Sequence, residues 1–257
     1  MSSPPSAPSA PSAGPPARAR KPASGHTHAH GHSHRDVSGG WLRPAVFGAM
    51  DGLVSNVSLI CGVAGGSASV HTVRLAGLAG LVAGAFSMAT GEYTSVRSQN
   101  EAMHAEIAVE RRELARSPRT EAAELERVFR RRGVEPRLAA QVVSQMSQDR
   151  DVALKVHVQE ELGVDVDNLP SPWVAAGSSL AAFAVGALIP VLPYLAGATV
   201  LWISVLVSAL ALFVAGAAVS RFTTRTAVYG GLRQLLLGAG AAAVTFGVGH
   251  LVGATVG

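Results

Sequence analysis

Charged side chains are scarce in this 257-residue chain, and two long stretches contain none. They make up 15% of the sequence, whereas a soluble domain has about 25%. No charged residue occurs from Asn168 to Ser220 or from Gln234 to Gly257. This distribution excludes an ordinary soluble domain and indicates a membrane protein.

Five apolar stretches are long enough to cross the hydrocarbon core, which needs about 20 residues. The run from Asn168 to Ser220 is too long for one span. Pro190 and Pro193 are expected to divide it, because proline removes a backbone donor and favours a turn. The sequence therefore predicts an all-α membrane protein with five transmembrane helices. The predicted spans are residues 42–65, 74–97, 172–192, 194–219 and 232–255.

Cysteine is almost absent, since Cys61 is the only one and lies inside the first span. No intrachain disulfide is possible, so cysteine usage does not indicate the redox compartment. The formal charge is +4, but many arginines alternate with carboxylates and form no basic face with interleaved aromatics. We therefore expect no nucleic-acid partner.

Residues 1–40 are rich in Ser, Pro, Ala and Gly, a composition that predicts a disordered tail because it buries too little apolar surface. The apolar run of a secretory signal is missing before position 41. Five histidines alternate with other residues between His26 and His34. Neutral imidazoles bind borderline divalent metals, so this segment is interpreted either as a weak metal-capture tail or as a low-complexity repeat.

Lysine and arginine concentrate in the tail, in residues 98–168 and in the loop between spans four and five. With five spans, all three segments fall on one face of the membrane, and loops rich in these residues face the cytoplasm. We therefore predict a cytoplasmic N-terminus and an external C-terminus. The Ala-, Arg- and Gly-rich composition favours a bacterial plasma membrane.

A polar insert, residues 98–168, separates spans 1–2 (residues 41–97) from spans 3–5 (residues 169–257) and is predicted to be a cytoplasmic three-helix domain. Its expected helices cover residues 101–116, 118–132 and 136–162. Ser117 and Pro118 are typical of a helix stop and restart. Gly133 and Pro136 mark the next boundary. No proline interrupts the chain from Leu75 to Ala115, so the second span can continue into the insert.

The insert contains 14 of the 17 acidic residues. In two pairs the glutamates are three positions apart, so both carboxylates share a helical face and can bind one divalent cation. The alternative is a solvated, salt-bridged surface with neighbouring arginines. His157, one turn before Glu161, gives a similar weak signal. The two pairs are Glu110 with Glu113 and Glu121 with Glu124.

Asp51 and Glu92 are the only charged residues in the apolar stretches 44–73 and 75–96. A carboxylate at mid-membrane costs roughly 2.5–3.5 kcal/mol, and no basic residue lies in the interior of any span to neutralise Asp51. Glu92 can alternatively reach the interface. Met88, one turn before Glu92, offers a thioether, which favours transition metals over calcium or magnesium, although a lone methionine is more often packing.

Four segments together resemble the vacuolar iron transporter family, over about residues 40–257. The first two lie in the membrane and are the more specific. The segments are Asp51-Gly-Leu-Val-Ser-Asn56 in the first span, Ser87-Met-Ala-Thr-Gly-Glu-Tyr-Thr-Ser-Val-Arg-Ser-Gln99 at the end of the second, Glu110-Arg-Arg-Glu-Leu114, and Glu161-Leu-Gly163.

The resemblance implies a homodimer with five spans per chain that moves iron(II), and sometimes manganese(II), out of the cytosol in exchange for protons. It implies that Asp51 and Met88 line the translocation path, and we add Glu92 as a candidate. No permanent cofactor is implied. The metal-binding glutamates of the family's cytoplasmic domain would fall on Glu110, Glu113, Glu121, Glu124 and Glu161.

One position departs from this family pattern. Eukaryotic members have a Met-Met pair a few residues before the last of those glutamates, where this chain has His157 and Val158. Either the imidazole replaces a sulfur ligand or this part of the site is weaker. The first alternative opens the site to manganese or zinc, and cobalt is a further candidate ion.

Two other functions remain open from the residues alone. Glu101 and His104 form a Glu-x-x-His motif of the kind found in di-iron carboxylate enzymes, but such sites need two motifs and the chain has one. A metal sensor without transport is the other alternative.

Overall fold

The computed structural model describes residues 40–222 and 224–256, and the predicted disordered tail lies outside them apart from Gly40. The described residues form helices and connecting turns, with no strand. Ser220–Phe222 is a short 3-10 helix. The α-helices are α1 (Leu42–Gly65), α2 (Val70–Arg116), α3 (Pro118–Arg131), α4 (Pro136–Met146), α5 (Arg150–Glu161), α6 (Pro172–Leu195), α7 (Leu201–Val219) and α8 (Ala227–Val256).

Five of these helices, α1, α2, α6, α7 and α8, are long and apolar enough to cross a membrane. The chain is an integral membrane protein, as the five apolar stretches predict. Helix α2 has 47 residues and is therefore about 70 Å long, more than twice the hydrocarbon thickness of about 30 Å. Its polar second half continues into the insert without a break, as expected from the lack of proline.

The predicted break at Pro190 and Pro193 is wrong, because both residues lie inside α6. The helix ends after them, where Gly197 adopts φ 100°. Ala198 N–H donates to the Pro193 carbonyl (2.9 Å) and Gly197 N–H to the Tyr194 carbonyl (3.2 Å), a left-handed cap that closes a helix C-terminus. The two prolines are tolerated near this end, and the Ser204 hydroxyl also donates to the Pro190 carbonyl (2.6 Å).

The third predicted helix of the insert is two helices, α4 and α5, and this too corrects the sequence prediction. Asp149 makes the new start, because its carboxylate accepts from the backbone N–H groups of Asp151 and Val152. This is a side-chain N-cap, and it allows α5 to turn back towards α2. There Leu154 and Val158 of α5 pack on Ile107 of α2.

Helices α1 and α6 are the central pair of the bundle. Of the 18 most apolar consecutive residues in each of these two helices, 44% are buried, against 6% in α8. Glycines bring the two backbones together: a Cβ added at Gly52 would collide with the Phe183 carbonyl oxygen, and one at Gly186 with the Ala49 carbonyl oxygen. Small residues serve this purpose in membranes, where lipid provides no hydrophobic drive between helices.

The starts of α1 and α6 lie at the same end of the bundle as the insert. A Cβ on Gly40 would be 3.3 Å from Pro170 Cβ, just before α6. At the opposite end, called the far end below, a Cβ on Gly66 would be 3.3 Å from the Gly249 carbonyl oxygen of α8. The arginine-rich insert and the loop between α7 and α8 therefore share one end, which is the arrangement that the five-span prediction requires.

The first prediction concerns the contact between α1 and α6. Gly52→Ala should destabilise the folded chain by about 1–3 kcal/mol, the usual cost of overpacking, because the methyl group meets backbone that cannot rotate away. Gly177→Ala is the matched control in α6, where an added Cβ meets nothing within 4 Å. Thermal unfolding in detergent should separate them, and an equal melting temperature for both variants would contradict the packing argument.

Candidate metal centres in the insert and between α1 and α2

Three buried side chains from three different helices converge in the insert. Glu110 lies on α2, Glu121 on α3 and His157 on α5, and one potential ligand atom from each lies within 4.8 Å of the other two. Their exposures are 7%, 7% and 2%. We call these three residues the insert cluster. All three were predicted from the sequence, and the structure brings them together.

Burial without a cationic partner raises the pKa values of the two glutamates in the insert cluster. Burial, reinforced by the charges of Glu161, Glu121, Glu113 and Glu124, raises the pKa of Glu110 to about 7. Burial also raises the pKa of Glu121, and neighbouring glutamates add to the shift. Among the described residues, no arginine or lysine lies within 4.0 Å of either carboxylate.

His157 is suited to donate a lone pair. Burial lowers its pKa below the ordinary value, although Glu161 and Glu124 act in the opposite sense. The imidazole is therefore neutral at pH 7, the form in which histidine binds metals. Its Nδ1 lies 3.2 Å from Glu110 Oε1, but the geometry is not that of a hydrogen bond, and Glu110 Oε1 has no hydrogen-bond partner among the described groups. A buried oxygen left in this way fits a cation between the two side chains.

The other predicted insert ligands surround this cluster. Glu161 Oε1 lies 3.9 Å from His157 Nδ1, so it is close enough to complete a ligand set after a small rotation. Glu113 is exposed, and Glu124 pairs with Arg127 at 2.9 Å. These last two act on the cluster through their charge, since both raise the pKa of Glu110. Carboxylate oxygens with one imidazole suit iron(II), manganese(II) and zinc(II).

A second candidate site is a cavity of about 410 Å³ along the seam between α1 and α2. The predicted pathway residues Asp51, Met88 and Glu92 all line it. It runs from Glu92 and Ser95 at the insert end to Leu59 and Gly80 deeper in the membrane. The cavity thus contains two carboxylates and a thioether inside otherwise apolar helices.

Asp51 has no ion-pair partner in the described part of the chain. The Ser55 hydroxyl, one turn along α1, donates to Asp51 Oδ1 at 2.8 Å. This bond orients the carboxylate but does not neutralise it. Met88 packs partly against Phe183 and Ala187, so its side chain both fills space and faces the cavity.

Sequence reasoning missed the uncharged polar residues of the cavity, among them Ser55, Asn56 and Ser87. Asn56 is 2% exposed and donates to backbone carbonyls of α2 and α6. The available signal was an amide in the middle of an apolar span, five residues after Asp51. An amide has no charge, so composition alone did not single it out.

Residues 42–250 of the chain match the VIT family. The chain belongs to this family. A vacuolar iron transporter of Acanthamoeba castellanii is 38% identical over 221 residues, 82% of this chain and 78% of that protein. Vacuolar iron transporter 1 of Oryza sativa subsp. japonica is 32% identical over 236 residues, 90% and 92% of the two chains.

Membership of the VIT family confirms the resemblance drawn from the four motifs, and it decides against the enzyme alternative, because VIT family members are transporters. The structure agrees. Glu101 pairs with Arg97 at 2.7 Å, with both side chains exposed, and His104 is also exposed. The Glu-x-x-His motif therefore takes no part in the insert cluster.

The second prediction follows from the raised pKa of Glu110. Below pH 7 a metal ion must displace a proton from this carboxyl group, so the affinity of the full-length chain for manganese(II) should fall from pH 8 to pH 6, by up to about tenfold per pH unit. Glu110→Gln should weaken binding and reduce this pH dependence, while the raised pKa of Glu121 keeps part of it.

Isothermal titration of the detergent-solubilised chain measures both effects. Buffers of different ionisation enthalpy report the released proton. Glu106→Gln, one turn earlier on α2 and exposed, is the control and should bind like the wild type. An affinity that stays constant between pH 6 and pH 8 would contradict the assignment of Glu110.

Proposed function

We propose that this protein carries iron(II) across its membrane, out of the cytosol, in exchange for protons. The single observation that carries the proposal is the cavity between α1 and α2. Asp51, Met88 and Glu92 line it together, and no lysine or arginine among the described residues lines it to neutralise the acids. A dication that passes through would supply the missing charge. The relatives named as iron transporters suggest which dication it is.

The insert cluster is proposed to collect the ion before it enters the membrane. Helix α2 carries both sites, with Glu110 at 18 residues, or about 27 Å, from Glu92 along the same helix. The basic residues of the insert support a cytoplasmic position for it, by the positive-inside rule. Binding there raises the local concentration of metal at the insert end of the cavity.

Proton exchange is proposed because a carboxylate without a cationic partner can hold either a proton or a metal ion. Desolvation favours the protonated form, and an adjacent dication favours the ionised form. Asp51 and Glu92 would then alternate between the two occupants, so that protons enter as metal leaves. Antiport by this route requires no further cofactor.

The choice of metal rests on the chemistry of two different donor sets. Oxygen and imidazole ligands in the insert accept manganese(II), zinc(II) and cobalt(II) as well as iron(II), whereas the thioether of Met88 favours the softer ions. Flux of the four ions into proteoliposomes, with and without a pH gradient, tests preference and coupling together. The homodimer and the bacterial plasma membrane stay predictions, and the relatives named above carry the word vacuolar in their names.

The third prediction tests the pathway itself. Asp51→Ala should abolish iron(II) and manganese(II) flux in proteoliposomes, because no other acidic side chain lines the middle of the cavity. Cys61→Ala is the control, since Cys61 is buried in the same helix but does not line the cavity. Flux at the wild-type rate in Asp51→Ala would end the proposal.

The fourth prediction separates capture from passage. Replacing Glu110, Glu113, Glu121 and Glu124 together by glutamine should raise the KM for metal by about tenfold or more and leave the maximal rate within a small factor of the wild type. The double variant Glu106→Gln with Glu126→Gln removes charge from the same two helices outside the cluster. An equal KM for both variants would contradict the role of the insert in capture.

A further inference from the structure

Asn56 holds a fixed position at the deep end of the cavity. Its Nδ2 donates to the Gly77 carbonyl of α2 at 3.2 Å and to the Ala187 carbonyl of α6 at 2.5 Å. Both partners are backbone carbonyls, which only accept, so the amide cannot be turned the other way round. The Asn56 side chain thereby links α1 to α2 and α6. Both bonds use its nitrogen, so its oxygen takes part in neither.

The amide oxygen of Asn56 has no hydrogen-bond partner among the described residues, although it is buried. It lies beside Gly80, where an added Cβ would be 2.9 Å from Oδ1 and 2.5 Å from Leu59 Cδ2. Gly80, Leu59 and Asn56 all line the cavity. A buried carbonyl-type oxygen is rarely left without a partner, and this one belongs to a residue that lines a cavity large enough for an ion.

Along the proposed path from the insert end, Asn56 comes after Asp51 and before the tightly packed part of the bundle around Ile60. Five residues of helix separate the two along α1, a rise of about 7.5 Å towards the far end. Beyond Asn56, Ile60 of α1 packs with Val73, Val191 and Tyr194 in a buried apolar cluster. Asn56 therefore lies near the deep end of the cavity, where Leu59 and Gly80 also line it.

We propose that Asn56 Oδ1 is the ligand that takes the dication from Asp51 and holds it at the closed end of the cavity. This inference rests on the proposed transport function and extends it to the step before release. A neutral amide oxygen is a hard donor that accepts iron(II) and manganese(II). It also binds them less strongly than a carboxylate, so the ion can move on when the far end opens.

The obvious alternative is that Asn56 only fastens three helices together. A purely structural asparagine would suffer from any replacement that removes its two donors, whether or not an oxygen remains. A ligand would respond to the oxygen. Asn56→Asp keeps the oxygen and adds charge, whereas Asn56→Leu removes both oxygen and donors at similar size, so the two roles predict different results.

Manganese(II) flux into proteoliposomes, analysed as KM and maximal rate, tests the proposal. Asn56→Asp should lower KM and slow the maximal rate, because the ion is held more tightly. Asn56→Leu should raise KM by about tenfold or more, as loss of a contributing group does at other metal sites. Opposite shifts in KM support the ligand role. Equal shifts, or no shift in either variant, overturn it.

Gly80→Ala keeps the test decisive if an Asn56 variant does not fold. Its methyl group would lie 2.9 Å from Oδ1 and 2.5 Å from Leu59 Cδ2, so it covers Oδ1 and forces the Leu59 side chain to move. KM should therefore rise, and the melting temperature should fall less than in Gly52→Ala, where the added Cβ meets backbone. Gly177→Ala, where the added Cβ is free, is the control. A wild-type KM in Gly80→Ala refutes the ligand role.

Asp51→Ala, measured beside these variants, separates the two proposals. If Asp51→Ala is inactive and the Asn56 and Gly80 variants keep the wild-type KM, transport stands and the role of Asn56 falls. If Asp51→Ala transports normally, the proposed transport pathway falls, and the role of Asn56 falls with it.

Discussion

Negative charge that no cation in the described part of the chain neutralises is the constraint on which both sites of this protein depend. Asp51 sits in the membrane part of α1 with one hydroxyl bond and no ion pair. Glu110 is buried in the insert with its pKa raised to about 7. In both places a negative charge is left for an occupant to offset. A proton and a divalent cation are the two occupants that this chemistry admits, and exchange between them is the transport that we propose.

Helix geometry positions these charges. Helix α2 is one continuous rod, so it carries Met88 and Glu92 in the membrane and Glu110 outside it in fixed relation. Helix α1 is held against α6 at backbone contact by glycines, Gly52 immediately beside Asp51. Side chains at such a contact have little freedom, and the seam between α1 and α2, which is less tightly filled, is where the cavity forms. Helix α1 is thus tightly packed where it meets α6 and borders a cavity where it meets α2.

Charged candidates could be predicted from the sequence because a charge inside an apolar run is a local signal. Asp51, Glu92 and the glutamate pairs were visible in this way, and the four motifs strengthened the weaker signals at Met88 and Glu161. Prediction was weaker where the local tendency of a residue competes with tertiary packing. Pro190 and Pro193 have a strong local tendency to break a helix, yet tertiary packing and the left-handed Gly197 place the end beyond them. The N-cap at Asp149 likewise divides a stretch that composition alone presents as one helix.

The sequence by itself determined that the chain spans a membrane five times and which acids are placed at a cost in free energy, because hydropathy and charge are properties of short segments. Only the tertiary structure decided which glutamates meet. Glu110, Glu121 and His157 come from three helices, and their convergence depends on how α5 turns back onto α2. It also decided the role open to Asn56, since an uncharged amide becomes significant only when two neighbouring helices take its donors and leave its buried oxygen without a partner.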